Sequence, residues 1–226
     1  MQPSDESPWS APETVAGFAQ APPNAVLMRF AQEQLQRDGR AALDLGCGAG
    51  RNAVPLAQMG WSVLGIDDSQ PMLDGAARRA HVAGVDANVQ LALAPMDEIP
   101  APDGSFDLVV AHGIWNLARS SHEFRRAVRE AGRVSKPGAG LFVFTFSRNT
   151  LGAEVDPIPG EPFVFTQFSG RPQCFLTAEQ LIAELGEAGF APDPAVPLTE
   201  YNRPGPGMIG TGGAPVIWEA AFRLAR

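Results

Sequence analysis

The sequence predicts an α/β protein organised on a mostly parallel sheet, and three observations carry that prediction. The apolar run Ala42-Leu43-Asp44-Leu45 ends in glycines at every second position, Gly46, Gly48 and Gly50, before Arg51-Asn52-Ala53-Val54 takes up helical spacing. Glycine is needed where the backbone turns with positive φ or a ligand comes close, and a helix starting there aims unpaired N–H groups at whatever fills the turn. A second apolar run, Trp61 to Ile66, follows that helix and ends in Asp67-Asp68, so strand, helix and strand form a βαβ unit with parallel strands. Strand and helix patterns go on alternating as far as Phe146, and 226 residues suit one such domain with additions better than two.

Composition narrows the class of partner. The formal charge is −8, and Lys136 is the single lysine among 17 basic residues, with no basic cluster. A surface that tracks phosphates needs such a patch, so a small molecule is expected as the substrate rather than nucleic acid, with a protein as the other option. Cys47 and Cys174 make no disulfide framework and stand in no metal-ligand spacing. Residues 1–10 lack the basic start and apolar core of a signal peptide, and no run of about 18 apolar residues follows. A soluble, cytoplasmic protein without membrane association is expected.

In chain order, residues 1–23 are rich in proline and predict an irregular arm with short helical pieces, anchored by Trp9 and Phe18. Asn24 caps a helix whose apolar positions are Val26, Leu27, Phe30, Ala31 and Leu35, ending at Asp38-Gly39. Residues 1–38 thus form an arm and helix, with a lid or a pinned terminus as the two readings of the arm. The helix after the glycine turn runs to Met59 and stops at Gly60. Ser69 and Pro71 open the next helix, towards Gly84, and Val89–Leu93 is a third strand. Residues 94–105 form a stiff, proline-rich loop, and Phe106–Ala111 is a fourth strand that delivers His112 to the carboxyl edge of the sheet. Ligands of open parallel sheets bind at that edge. Trp115, Asn116 and Arg119 extend the same rim. Ser120 and Glu123 open a helix with Arg125, Arg126 and Arg129 on its solvated side, a Lys136-Pro137-Gly138 turn follows, and Leu141–Phe146 is a fifth strand.

Residues 147–176 are a long insertion in which prolines alternate with Phe163, Phe165, Phe168 and Phe175. Loops of this length within a domain are usually functional, so the expectation is a cap over the substrate with a short hairpin at Phe163–Phe168; a homodimer surface uses the same aromatic residues. Gln167 and Arg171 could meet a polar or acidic substrate. Thr177 and Gln180 cap the last helix, and residues 195–201 and 216–224 predict closing antiparallel strands joined by a glycine-rich loop over residues 203–213.

The chemistry is carried by Asp44, Gly46, Gly48 and Asp67. The dinucleotide fingerprint Gly-x-Gly-x-x-Gly fails, because Arg51 stands third when counting starts at Gly46. An acid about 20 residues beyond such a turn, at the end of the second strand, accepts hydrogen bonds from ribose hydroxyls, which assigns that role to Asp67, with Asp68 as second candidate or helix cap. The pattern Asp44-x-Gly46-x-Gly48-x-Gly50 resembles the first motif of the class I S-adenosylmethionine-dependent methyltransferases. The acid after strand two, the Ser105-Phe106-Asp107 start of strand four and the Lys-Pro-Gly turn match the same family over roughly residues 41–146. The resemblance implies a Rossmann-like, seven-stranded sheet with helices on both faces and an antiparallel last strand, and S-adenosylmethionine as cofactor. It places Gly46 and Gly48 on the methionine end, Asp44 on its ammonium and Met72 against the adenine, with Cys47 and Ala111 also among the cofactor-binding residues. Where many members carry an acid for the adenine amino group this chain has Pro95, and the Met96 backbone N–H with the Asp97 carboxylate takes its place; a solvated acidic turn is the alternative.

His112 is the single catalytic candidate, as general base or orienter of a substrate hydroxyl, against a structural role. The leading function is methyl transfer to a small molecule by in-line displacement within one domain, residues 1–226. The alternatives are a non-catalytic cofactor-binding or scaffold protein and a nicotinamide-dependent oxidoreductase.

Overall fold

The computed structural model describes residues 8–203 and 214–225. The predicted glycine-rich loop and the first seven residues therefore lie almost wholly outside the described residues. Residues 8–10 form one 3-10 turn, followed by α1 (Pro12–Gln20) and α2 (Ala25–Gln36). The central βαβ unit is β1 (Ala41–Leu45), α3 (Ala53–Gln58) and β2 (Ser62–Asp67), and α4 (Gln70–Val82) leads to β3 (Val89–Leu93). Next come β4 (Phe106–His112), α5 (Ser121–Val134) and β5 (Ser135–Phe146). The insertion holds a two-stranded antiparallel ribbon, β6 (Val164–Phe165) with β7 (Gln173–Cys174). The chain closes with α6 (Ala178–Gly186), β8 (Phe190–Pro192), β9 (Thr199–Tyr201) and β10 (Ile217–Leu224).

Among the described residues the main sheet runs β3-β2-β1-β4-β5-β10-β8, and β9 pairs with the first half of β10 beside β8. β1 to β5 are mutually parallel and β10 is antiparallel to β5. The expected seven-stranded path is present. Of the strand predicted over residues 195–201 only Thr199–Tyr201 forms, as β9, and β8 is an addition whose three residues are too few for a period-two signal. The order reverses between β1 and β4, which opens a crevice at their carboxyl ends.

Alternation along the strands divides the core in two. Leu43, Leu45, Val109, Ala111, Leu141 and Val143 face α5 and α6, whereas Ala42, Val63, Leu108, Val110 and Phe142 face α2 and α3. Each fully buried large side chain in these layers contributes about 1.5–3 kcal/mol. The same alternation projects Asp44, His112, Phe144 and Glu219 onto the α2 side, because they share register parity with Ala42, Val110, Phe142 and Ala221. No helix among the described residues is long and apolar enough to cross a membrane.

The insertion folds on the chain itself. Phe163, Phe165 and Phe175 are buried, with Phe163 edge-on to Phe124 of α5 and Phe175 against Phe146 at the end of β5. Those rings are used internally, which removes them from any dimer surface; Phe168, half-buried and edge-on to both Phe146 and Phe175, closes the cluster. Gln167 and Arg171 are exposed on the ribbon's turn.

Candidate active site

The glycine turn is shaped by positive φ at Gly46, Gly48 and Gly50. Gly46 has φ 62°, and a Cβ there would stand 2.6 Å from Ile114 Cδ1. Gly48 has φ 53°, and its open side faces Phe18 of α1 and Met72 of α4. The Gly48 N–H donates to Asp67 Oδ2 at 2.8 Å, and the Ser69 N–H donates to Asp67 Oδ1 at 2.9 Å. These bonds fix the Asp67 carboxylate beside the turn while leaving lone pairs for a ligand. Burial raises its pKa against those two donors.

Asp44 is the most conspicuous polar group here. It is 2% exposed, and its Oδ2 has no hydrogen-bond partner. Burial, with nearby Asp67 adding to it, lifts the carboxyl to about 7, against the Ala53 N–H and the Arg51 charge that pull it down. A buried acceptor without a donor costs about 1–3 kcal/mol, so an incoming cationic donor is the natural complement. Asp44 and Asp67 therefore present two acceptors on either side of a backbone turn, a set that fits an α-ammonium group and a ribose.

The other predicted residues are placed as follows. Cys47 lends only its backbone to the turn: its N–H donates to Ile66 O, and its Sγ packs into the core where a Cβ on Gly65 would be 2.9 Å away. Asp68 is exposed and does not cap α4; Asp67 accepts the Ser69 N–H instead. Met72 is buried with Val15 and Ala49, under Phe18. The Met96 side chain joins the α5-side core, and Asp97 is paired with Arg126 at 3.0 Å. Arg126 is thus a partner of the loop and not the free solvated residue of the sequence reading. Ala111 is buried between Leu45 and Val143. Trp115 and Asn116 are buried rather than rim residues, Trp115 edge-on to Phe124, and Arg119 is exposed.

His112 stands at the end of β4, its ring stacked on Phe144 with centroids 4.2 Å apart and planes 7° apart. Burial, with the Arg51 charge second, lowers its pKa to about 4, so the imidazole is neutral at physiological pH. Its Nε2 lies 3.3 Å from the Asn24 side-chain nitrogen, which also donates to Glu219 Oε2 at 2.7 Å. Glu219 on β10 is 4% exposed. Neither Asn24 nor Glu219 is legible as a site residue. The first reads as a helix cap, which it also is, and the second is one acid in an otherwise apolar strand.

The arm lies across the turn. Trp9 and Phe18 pack edge-on, Arg79 reaches the carbonyl oxygens of Phe18 and Ala21, and Arg51 donates to Pro22 O at 2.7 Å.

Residues 42–138 match a family described as a methyltransferase domain. The 27-O-demethylrifamycin SV methyltransferase of Amycolatopsis mediterranei is 31% identical over 175 residues, 74% of this chain and 60% of that enzyme. The demethylmenaquinone methyltransferase of Corynebacterium efficiens is 35% identical over 136 residues, 59% of this chain and 53% of that enzyme. The chain spans little more than half the length of the curated relatives it matches. In fold it is similar to an S-adenosylmethionine-dependent methyltransferase of Methanosarcina mazei, with TM-score 0.65 and 21% identity over 91% of this chain and 99% of that one. The glycine turn, the two acids and the strand order agree with these matches, and the fold is that of the class I S-adenosylmethionine-dependent methyltransferases.

Proposed function

We propose that the protein methylates a hydroxyl of a small molecule, using S-adenosylmethionine. The observation that carries this is the pairing, at one sheet edge, of the Asp44–glycine turn–Asp67 acceptor set with a neutral histidine on the adjoining strand. When bound, the cofactor supplies a methyl group activated on a sulfonium. Asp44 holds the α-ammonium, the Gly46 and Gly48 backbone receives the methionine end, Asp67 takes the ribose hydroxyls and Met72 lies against the base. Asp97, tied to Arg126, holds the adenine side only through what its carboxylate can still accept.

The protein's share of the work is to orient two reactants and exclude water, which can supply about 7–11 kcal/mol of a barrier. His112 Nε2 accepts the proton of the acceptor hydroxyl as that oxygen gains the methyl, and passes it on to water. A neutral imidazole has its lone pair free to meet the hydroxyl at physiological pH, while its low pKa makes it a weak base whose larger share of the work is orienting that group. Phe144 and the insertion wall this side of the site with apolar surface, and residues 147–176 act as the cap. The small-molecule acceptors named for the rifamycin and menaquinone relatives support the substrate class.

Incubating the protein with the cofactor and a panel of phenolic and aliphatic hydroxy compounds, with mass-spectrometric detection of products gaining one methyl, tests the reading. Cofactor binding without turnover on any acceptor would favour the non-catalytic alternative.

A further inference from the structure

The loop between α1 and α2 sends one side chain into the acceptor side of the crevice. The Asn24 side-chain oxygen accepts from the Val26 N–H at 2.9 Å and the Leu27 N–H at 3.0 Å, capping α2. Those two donors fix which way the amide faces, so its NH2 group points at Glu219 and His112. A flipped amide would set NH2 against two N–H donors and its oxygen against a carboxylate, losing all three bonds. An amide nitrogen only donates, so the histidine nitrogen facing it is the acceptor, and the ring proton resides on Nδ1. The backbone N–H of Asn24 is itself held, by Asn52 Oδ1 at 3.2 Å.

We propose that Asn24, anchored by Glu219, is a positioning residue that fixes the Nδ1–H tautomer of His112 and keeps its Nε2 lone pair available until an acceptor hydroxyl replaces the amide. The proposal deepens the function given above and rests on it for the nature of the incoming group; the tautomer itself follows from the resting geometry alone. A consequence is that acceptor entry is tied to the residues leading into α2. The amide must release His112 for a hydroxyl to reach it, while Glu219 and the helix cap keep Asn24 within reach for return.

Nitrogen-15 NMR of the histidine-labelled full chain tests this near neutral pH. The chain has three histidines, and the His112→Gln spectrum identifies the resonances of His112. The expected wild-type spectrum has a protonated Nδ1 and an unprotonated Nε2 at His112. Asn24→Ser keeps a capping oxygen but removes the NH2 group. It should move His112 towards the Nε2–H tautomer and lower turnover about tenfold with cofactor affinity unchanged. Glu219→Gln should shift the same resonances by less. An Nε2–H signal at His112 in the wild type, or an Asn24→Ser spectrum identical to it, would overturn the proposal, and the wild-type measurement decides even if the variant does not fold. Full turnover in His112→Gln would instead remove the base assignment while leaving the tautomer result standing.

Discussion

The two sides of the crevice are built in opposite ways. The side formed by β1 and β2 takes its chemistry from one continuous stretch: Asp44, Gly46, Gly48, Asp67 and Met72 fall within a single βαβ unit and its next helix, and backbone groups do much of the proposed binding. The side formed by β4, β5 and β10 gathers Asn24, His112, Phe144 and Glu219 from four separate elements, and side chains do all of it. A local, backbone-made site leaves a spacing pattern in the sequence. A site assembled across a sheet leaves none, because register and alternation bring its members together only after folding.

The comparison predicts that variants on the second side change rate and those on the first change binding. The largest effect expected is from His112→Gln, a fall in kcat of about 10²–10⁴ with cofactor affinity unchanged in calorimetry. Equal losses in both would dissolve the distinction. Asp44→Asn should weaken cofactor binding by about 1.5–3 kcal/mol, the worth of hydrogen bonds to charged groups, and yet raise the melting temperature of the cofactor-free protein above pH 7. The sign follows from linkage. A carboxyl lifted from its ordinary range to about 7 favours the folded state only while protonated, so its contribution is lost as pH rises through 7. For the same reason cofactor affinity should rise as pH is brought from 5 to 8, with proton release on binding measurable in two buffers of different ionisation heat.

Asp67→Ala should weaken binding by about 1–3 kcal/mol, since it also unpairs the Gly48 and Ser69 N–H groups. His112 adds an acid-side signature. Its folded pKa is depressed to about 4, so stability falls as pH drops from about 6.5 towards 4, where the unfolded chain takes up a proton that the native ring refuses. The His112→Gln variant should show a shallower loss of melting temperature over that interval. The smallest effect expected is from Phe168→Ala, a few-fold rise in acceptor KM with little change in cofactor binding or stability. Removing Phe163 or Phe165 is a different experiment, because both rings are core and their loss costs about 3–5 kcal/mol of folding.

How far the sequence carries depends on the same contrast. The helix caps at Asn24, Ser120 and Thr177 stand where their side chains predict them, as does β3, and Asp67 lies against the glycine turn that Asp44 leads into. Those are local signals. Position along the chain does not say which way a side chain turns: Cys47 Sγ takes the space left by Gly65, and Trp115, expected on the rim, packs on α5. Glu219 was invisible for a related reason. A single acid in Ile217–Leu224 gains meaning only from the strand beside it.

The grip on the arm has one more implication. Arg51 and Arg79 hold it through the main-chain oxygens of Phe18, Ala21 and Pro22, groups that every amino acid supplies. That polar part of the tether is indifferent to which side chains the segment carries, so evolution or an engineer could rewrite positions outside the Trp9, Val15 and Phe18 contacts while the fastening stays intact.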